Sequence, residues 1–144
     1  MRNPAVTLQI ATRSAALPNA ARIRRWVRAA RPGRAEITVR IVGAREGRSL
    51  NRRFRGRDYA TNVLAFPYGR QGGALRGDLV LCAPVVAREA HEQGKDLAAH
   101  YAHLTVHGVL HLRGYVHDEA RRALRMERAE RAILRRLGYP DPYQ

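Results

Sequence analysis

Val6-Thr7-Leu8-Gln9-Ile10-Ala11, the stretch Ala20 to Arg31, and Ile37-Thr38-Val39-Arg40-Ile41-Val42 together decide the fold. The first and third segments alternate apolar and polar side chains, the period of a strand with one buried face. Between them Ile23, Trp26, Val27 and Ala30 recur at helical spacing, with Arg22, Arg25 and Arg28 around the other face, and Pro32-Gly33 ends the run. Trp26, on the apolar stripe, is assigned to the core. Two strands joined by a helix predict a right-handed parallel crossover.

Further along, a short basic helix is expected from about Arg45 to Phe54. The loop Arg55-Gly56-Arg57-Asp58 leads into a third strand, Asn62-Val63-Leu64-Ala65-Phe66, closed by Pro67. Gly69, Gly72, Gly73 and Gly77 read as a flexible connection to a fourth strand, Asp78 to Cys82. The remainder is helical: Pro84 to Gln93, Leu97 to Arg113, and Asp118 to Leu137, with Asp118 as N-cap and Gly138 as C-cap. Strands come early and helices late. The expected class is α+β: a small mixed four-stranded sheet with packed helices, one of them a zincin-like metal-binding helix. With no repeat, low-complexity segment or linker, residues 1–144 read as a single domain.

At 144 residues, 45% apolar and 27% charged, the chain can build a core without disulfides or metal. A bound metal is therefore expected to serve chemistry more than folding. Lys+Arg 27 against Asp+Glu 12 gives +15, which makes a polyanion the default partner, nucleic acid before anionic membrane. All basic residues but Lys95 are Arg, a bias that GC-rich codons also produce, so the net charge carries this argument. Cys82, the sole cysteine, ends the apolar run Leu79-Val80-Leu81-Cys82 and reads as a buried strand residue. A chain without an internal disulfide suits a reducing compartment. Val6 to Ile10 alternates where a secretory leader needs an apolar block, and Leu79 to Ala87 is too short to span a bilayer. A soluble, cytoplasmic protein is expected.

All six histidines lie between His91 and His117. His107 and His111 are four residues apart on an expected helix, so both rings project from one face, one turn apart. Gly114 permits a left-handed helix end, after which the chain can double back with His117. Three imidazoles with a fourth position open form a catalytic zinc arrangement. His91, His100 and His103 are read as packed or solvated residues, with a supporting role open to His103. Metzincin peptidases share the spacing H-E-x-x-H-x-x-G-x-x-H, but Gly108 stands where their general-base Glu belongs. That retains the Lewis acid and removes the peptidase base, which favours a hydrolase of anionic substrates.

The string His107-Gly108-Val109-Leu110-His111-Leu112-Arg113-Gly114-Tyr115-Val116-His117 resembles the signature of the YbeY family, bacterial metal-dependent endoribonucleases also called rRNA maturation factors. Leu50-Asn51, Phe54 to Asp58, Thr61 to Pro67, Gly77 to Val80 and Leu137 to Tyr139 resemble family segments in family order. The resemblance implies a zinc-dependent, single-strand-specific endoribonuclease that matures ribosomal RNA, notably the small-subunit rRNA 3′ end, and takes part in ribosome quality control. It implies one Zn2+ on His107, His111 and His117, with Arg55 and His111 as catalytic residues. The implied partners are single-stranded RNA, the ribosome, small-subunit protein S11 and the GTPase Era. Without the resemblance, Arg55 reads as a solvated loop arginine, one of six among residues 45–57. Two positions depart from the family pattern: Val116 stands where Asp is usual, and Ala65 where Ser is usual. Asp118 or Glu119 is the expected replacement acceptor beside the ligands.

The expected chemistry has the metal polarise a water or a phosphoryl oxygen while the forked guanidinium of Arg55 stabilises charge on the phosphate. RNA contact is expected along Arg45–Arg57, with Arg22–Arg31 a second candidate. Arg121–Arg136 reads as a solvated face with pairs such as Glu127–Arg131. Aromatics at 6% argue against extensive base stacking and leave Tyr59, Tyr68 and Tyr115. Two alternatives stand beside this reading: a non-catalytic, metal-stabilised ribosome-assembly factor, and a metal hydrolase of another substrate. Imidazoles hold nickel and copper as well as zinc, so spacing alone leaves the ion open.

Overall fold

The computed structural model describes residues 4–14 and 16–144. Its elements run β1 (Ala5–Ala11), α1 (Ala20–Ala30), β2 (Ala35–Val42), α2 (Ala44–Arg55), β3 (Val63–Gln71), β4 (Ala74–Cys82), α3 (Ala83–Glu92), α4 (Leu97–Leu112) and α5 (Ala120–Leu137). The sheet order is β1-β2-β4-β3, with β1–β2 and β2–β4 parallel and β3–β4 antiparallel. The expected α+β fold with a mixed four-stranded sheet is what the chain adopts, including the parallel connection through α1.

Alternation along the strands builds two cores. Ile37, Val39 and Ile41 of β2 and Leu79 and Leu81 of β4 face α1, α4 and the Ile133-Leu134 end of α5. The intervening positions Val42, Leu64, Val80 and Cys82 face the other way and form a smaller cluster with Val85, against which Leu50 of α2 packs. Asn19 starts α1 by accepting the Arg22 N–H on its side chain at 2.9 Å. The apolar stripe of α1, Trp26 included, is wholly buried, and Trp26 meets Tyr139 edge-on at 6.2 Å. Cys82 is buried, as expected.

Three local expectations are corrected. The third strand does not close at Pro67. It continues to Gln71, and Gly72-Gly73, with φ of 57° and 80°, form a two-residue hairpin turn into β4, which starts at Ala74. Pro67 is tolerated because β3 is the outer strand and its register shifts between Pro67 and Gly69. Asp118 does not cap α5; Glu119 takes the cap position without a side-chain cap bond, and Asp118 accepts from Arg122 at 3.3 Å. Arg131 pairs with Asp141 at 3.1 Å in place of Glu127, because the C-terminal segment folds back along α5. Gly138 does end α5 in the left-handed conformation, with φ 90°.

Candidate metal centre

α4 packs across β3 and β4 with ten of its residues buried, so its orientation is fixed by the core. His103, His107 and His111 follow one another along one flank of this helix. At its end Gly114 takes φ 101°, and the Tyr115 N–H returns to the Leu110 carbonyl at 3.0 Å. The reversal brings His117 back over the helix. Ring centroids then lie 4.7 Å (His107–His111), 5.0 Å (His111–His117) and 5.7 Å (His107–His117) apart. One ring nitrogen from each residue falls within 4.8 Å of the others. The three histidines chosen from spacing are thus together in space.

They line a cleft of about 530 Å3. Its opposite wall is the outer strand β3, from Val63 to Pro67, and Arg55 stands at the side where α2 ends. The Phe54 ring meets Phe66 edge-on at 5.2 Å, which ties the end of α2 to β3 and so places Arg55, an exposed side chain, at the cleft. Of the three tyrosines singled out, Tyr115 lines the cleft, with the Arg113 guanidinium 5.5 Å over its ring. Tyr59 and Tyr68 are exposed and are not part of that lining. Within the expected RNA-contacting segment, Arg48 is occupied by Asp58 at 2.8 Å.

Burial, then the neighbouring His107 and His117, push the His111 imidazole down to about 4, and Arg55 adds to the effect. His111 is therefore neutral near pH 7, with a lone pair to donate. Three imidazoles converging on one point, one of them exposed, are a donor set that fits a first-row divalent ion with an open position.

The carboxylate nearest the ligands is neither Asp118 nor Glu119, both of which lie against Arg122. It is Glu130 of α5, wholly buried, whose Oε1 stands 2.7 Å from His107 Nδ1 and 3.2 Å from His103 Nε2, while Oε2 accepts from the Tyr143 hydroxyl. Burial pushes the Glu130 carboxyl up, but the hydrogen bonds from His103, His107 and Tyr143 outweigh it and bring it down to about 2. Sequence reading missed Glu130. The available signal was its position on the apolar stripe Met126, Ile133, Leu134, where an unpaired acid is costly. His100 is buried with Nε2 2.9 Å from Glu89, a packed histidine as expected, and His91 is exposed.

The family model described as Endoribonuclease YbeY matches residues 11–138. The chain belongs to the YbeY family. Among curated relatives, the Endoribonuclease YbeY of Stenotrophomonas maltophilia (strain K279a) is 56% identical, the match covering 96% of this chain and 92% of that protein. That of Thiobacillus denitrificans is 58% identical over 96% of this chain and 95% of its own. That of Azoarcus sp. (strain BH72) is 59% identical over 90% of this chain and 54% of its own. The solution structure of TM1509 from Thermotoga maritima shares the fold at a TM-score of 0.56 and 19% identity, covering 97% of this chain and 99% of that one. Among the described residues no helix is long and apolar enough to cross a membrane.

Proposed function

We propose that this chain is a metal-dependent endoribonuclease that holds one Zn2+ on His107, His111 and His117 and cuts single-stranded RNA during ribosomal RNA maturation. The observation that carries the reading is the convergence of three imidazoles and the exposed guanidinium of Arg55 on a single cleft in a member of the YbeY family. Bound there, the ion supplies Lewis acidity for phosphodiester hydrolysis.

The rest falls to the chain. Arg55 binds the phosphate at the scissile position through its planar fork and stabilises the charge that develops on it. His111, buried and neutral, keeps its lone pair for the ion, and the outer strand β3 gives the cleft a wall along which an extended RNA strand lies. Gly108 leaves no carboxylate at the position a peptidase uses for its general base, and Glu130 is tied up by His103, His107 and Tyr143, which speaks against peptide hydrolysis. The net charge of +15 supports a polyanionic substrate. By family resemblance the partners are the ribosome, small-subunit protein S11 and the GTPase Era, and the place of action is the cytoplasm.

The test is cleavage of a single-stranded RNA and its duplex by zinc-loaded wild type, His111→Ala and Arg55→Glu. Wild type is expected to cut the single strand in preference to the duplex, with both variants slower by at least about 100-fold. Equal cleavage by all three would overturn the assignment. No cleavage by any of them, with ribosome binding intact, would replace the enzyme with an assembly factor.

A further inference from the structure

Glu130 and Tyr143, remote from the cleft in sequence, reach the metal centre from behind. We infer that Glu130, locked by the hydroxyl of Tyr143, is a positioning residue that sets the tautomer and orientation of His107. This rests on the proposed metal reading of His107, His111 and His117.

A carboxylate only accepts, so His107 must donate its Nδ1–H to Glu130 Oε1 across the 2.7 Å contact. The ring lone pair is then left on Nε2, the nitrogen free to face His111 and His117. The same oxygen takes the Nε2–H of His103 at 3.2 Å, and the other takes the Tyr143 hydroxyl. A wholly buried carboxylate is tolerable only with such a full set of donors. Each donor also removes a direction in which the carboxylate can turn.

Glu130 is not itself placed as a ligand. Ligands about 2.0–2.1 Å from a tetrahedral ion stand more than about 3 Å from one another. The 2.7 Å approach of His107 Nδ1 to Glu130 is a direct hydrogen bond with no room for an ion between.

Tyr143, although exposed at 41%, is tied to its neighbours in turn. Asp141 accepts the Tyr143 N–H at 2.8 Å and pairs with Arg131 at 3.1 Å. The Arg131 guanidinium lies 5.3 Å over the Tyr143 ring, whose edge meets His103 at 5.5 Å. Lys95 Nζ donates to the Pro142 carbonyl at 2.9 Å. The C-terminal segment thus acts as a strap that keeps one hydroxyl on Glu130.

The experiment is zinc affinity, measured by competition with a chromophoric chelator, and the visible spectrum of the Co2+ form, for wild type, Tyr143→Phe and Glu130→Gln. Thermal melting of each is recorded in parallel. Glu130→Gln should weaken zinc binding by about 10- to 100-fold, and Tyr143→Phe, which keeps the ring packing, by up to about tenfold. The cobalt bands should shift in both. If Glu130→Gln does not fold, Tyr143→Phe decides. Wild-type affinity and an unchanged cobalt spectrum in a folded variant, even with a lowered melting temperature, would show a purely structural role and overturn the inference alone. Failure of wild type to bind zinc would overturn it together with the metal reading.

Discussion

Gly108 of α4 lies so close to Leu79 of β4 that a β-carbon on it would stand 2.7 Å from Leu79 Cδ2. Leu79 is wholly buried and cannot swing aside without disturbing the core. The glycine next to His107 therefore does two things. It removes the carboxylate a peptidase would have there, and it sets the height of α4 above the sheet, hence where His107 and His111 stand. Gly108→Ala should gain up to about 1 kcal/mol in helix propensity and lose about 1–3 kcal/mol to overpacking. A net loss of up to about 2 kcal/mol in urea unfolding is expected; a variant more stable than wild type would contradict the close-packing account.

Arg55 is exposed and carried by the last turn of α2. Its replacement should leave the fold intact and touch only RNA chemistry. Arg55→Lys keeps the charge but loses the two-pronged grip on phosphate, so it should retain more activity than Arg55→Ala yet remain well below wild type. About a 100-fold fall in kcat/KM for the alanine variant is expected. Full activity of Arg55→Lys would reduce the role to bulk charge.

The start of α2 is fixed to the sheet by Arg40 and Glu46, which form two hydrogen bonds of 2.6 and 2.9 Å. The hydrogen bond from Arg40 holds the Glu46 carboxyl below its usual value of 4.5, with burial opposing. Protonation therefore costs the folded state more than the unfolded one. The stabilisation is complete above about 4.5 and is lost as pH falls through the lowered folded value. Since the pair is about a third exposed, its worth is under about 1 kcal/mol. Unfolding of wild type and Glu46→Gln should show a gap at neutral pH that closes in acid; a gap independent of pH would refute the pair's contribution.

Cys82 is buried between β4 and α2, and burial pushes its thiol up, with a backbone hydrogen bond and Arg88 opposing. Alkylation by iodoacetamide at neutral pH should be slow in the native protein and rapid in denaturant. Fast native labelling would mean that this face of the sheet opens readily.

Legibility in the sequence followed locality. The strand, helix, strand run and the histidine-bearing helix announce themselves through periods of two and about four residues, and the structure keeps them. Gly72-Gly73 was equally local, but Pro67 drew the strand end five residues too early, and only the sheet order shows that Pro67 sits on an edge where no ladder donor is needed. The ligand triplet is written in eleven consecutive residues, whereas Glu130 lies 23 residues beyond His107 on another helix. Its meeting with His107 depends on how α5 packs against α4, which no spacing records. Arg55 became distinct from its arginine neighbours only through family resemblance, and the Phe54–Phe66 contact now supplies a physical reason for its place.

The central claim is that His107, His111 and His117 form one zinc site. Elemental analysis of untagged protein, purified without chelator and compared with His111→Ala, tests it most directly. The account predicts close to one zinc per chain in wild type and less than about a tenth of that in the variant. Equal metal content in the two proteins, or none in wild type after incubation with zinc, would contradict it.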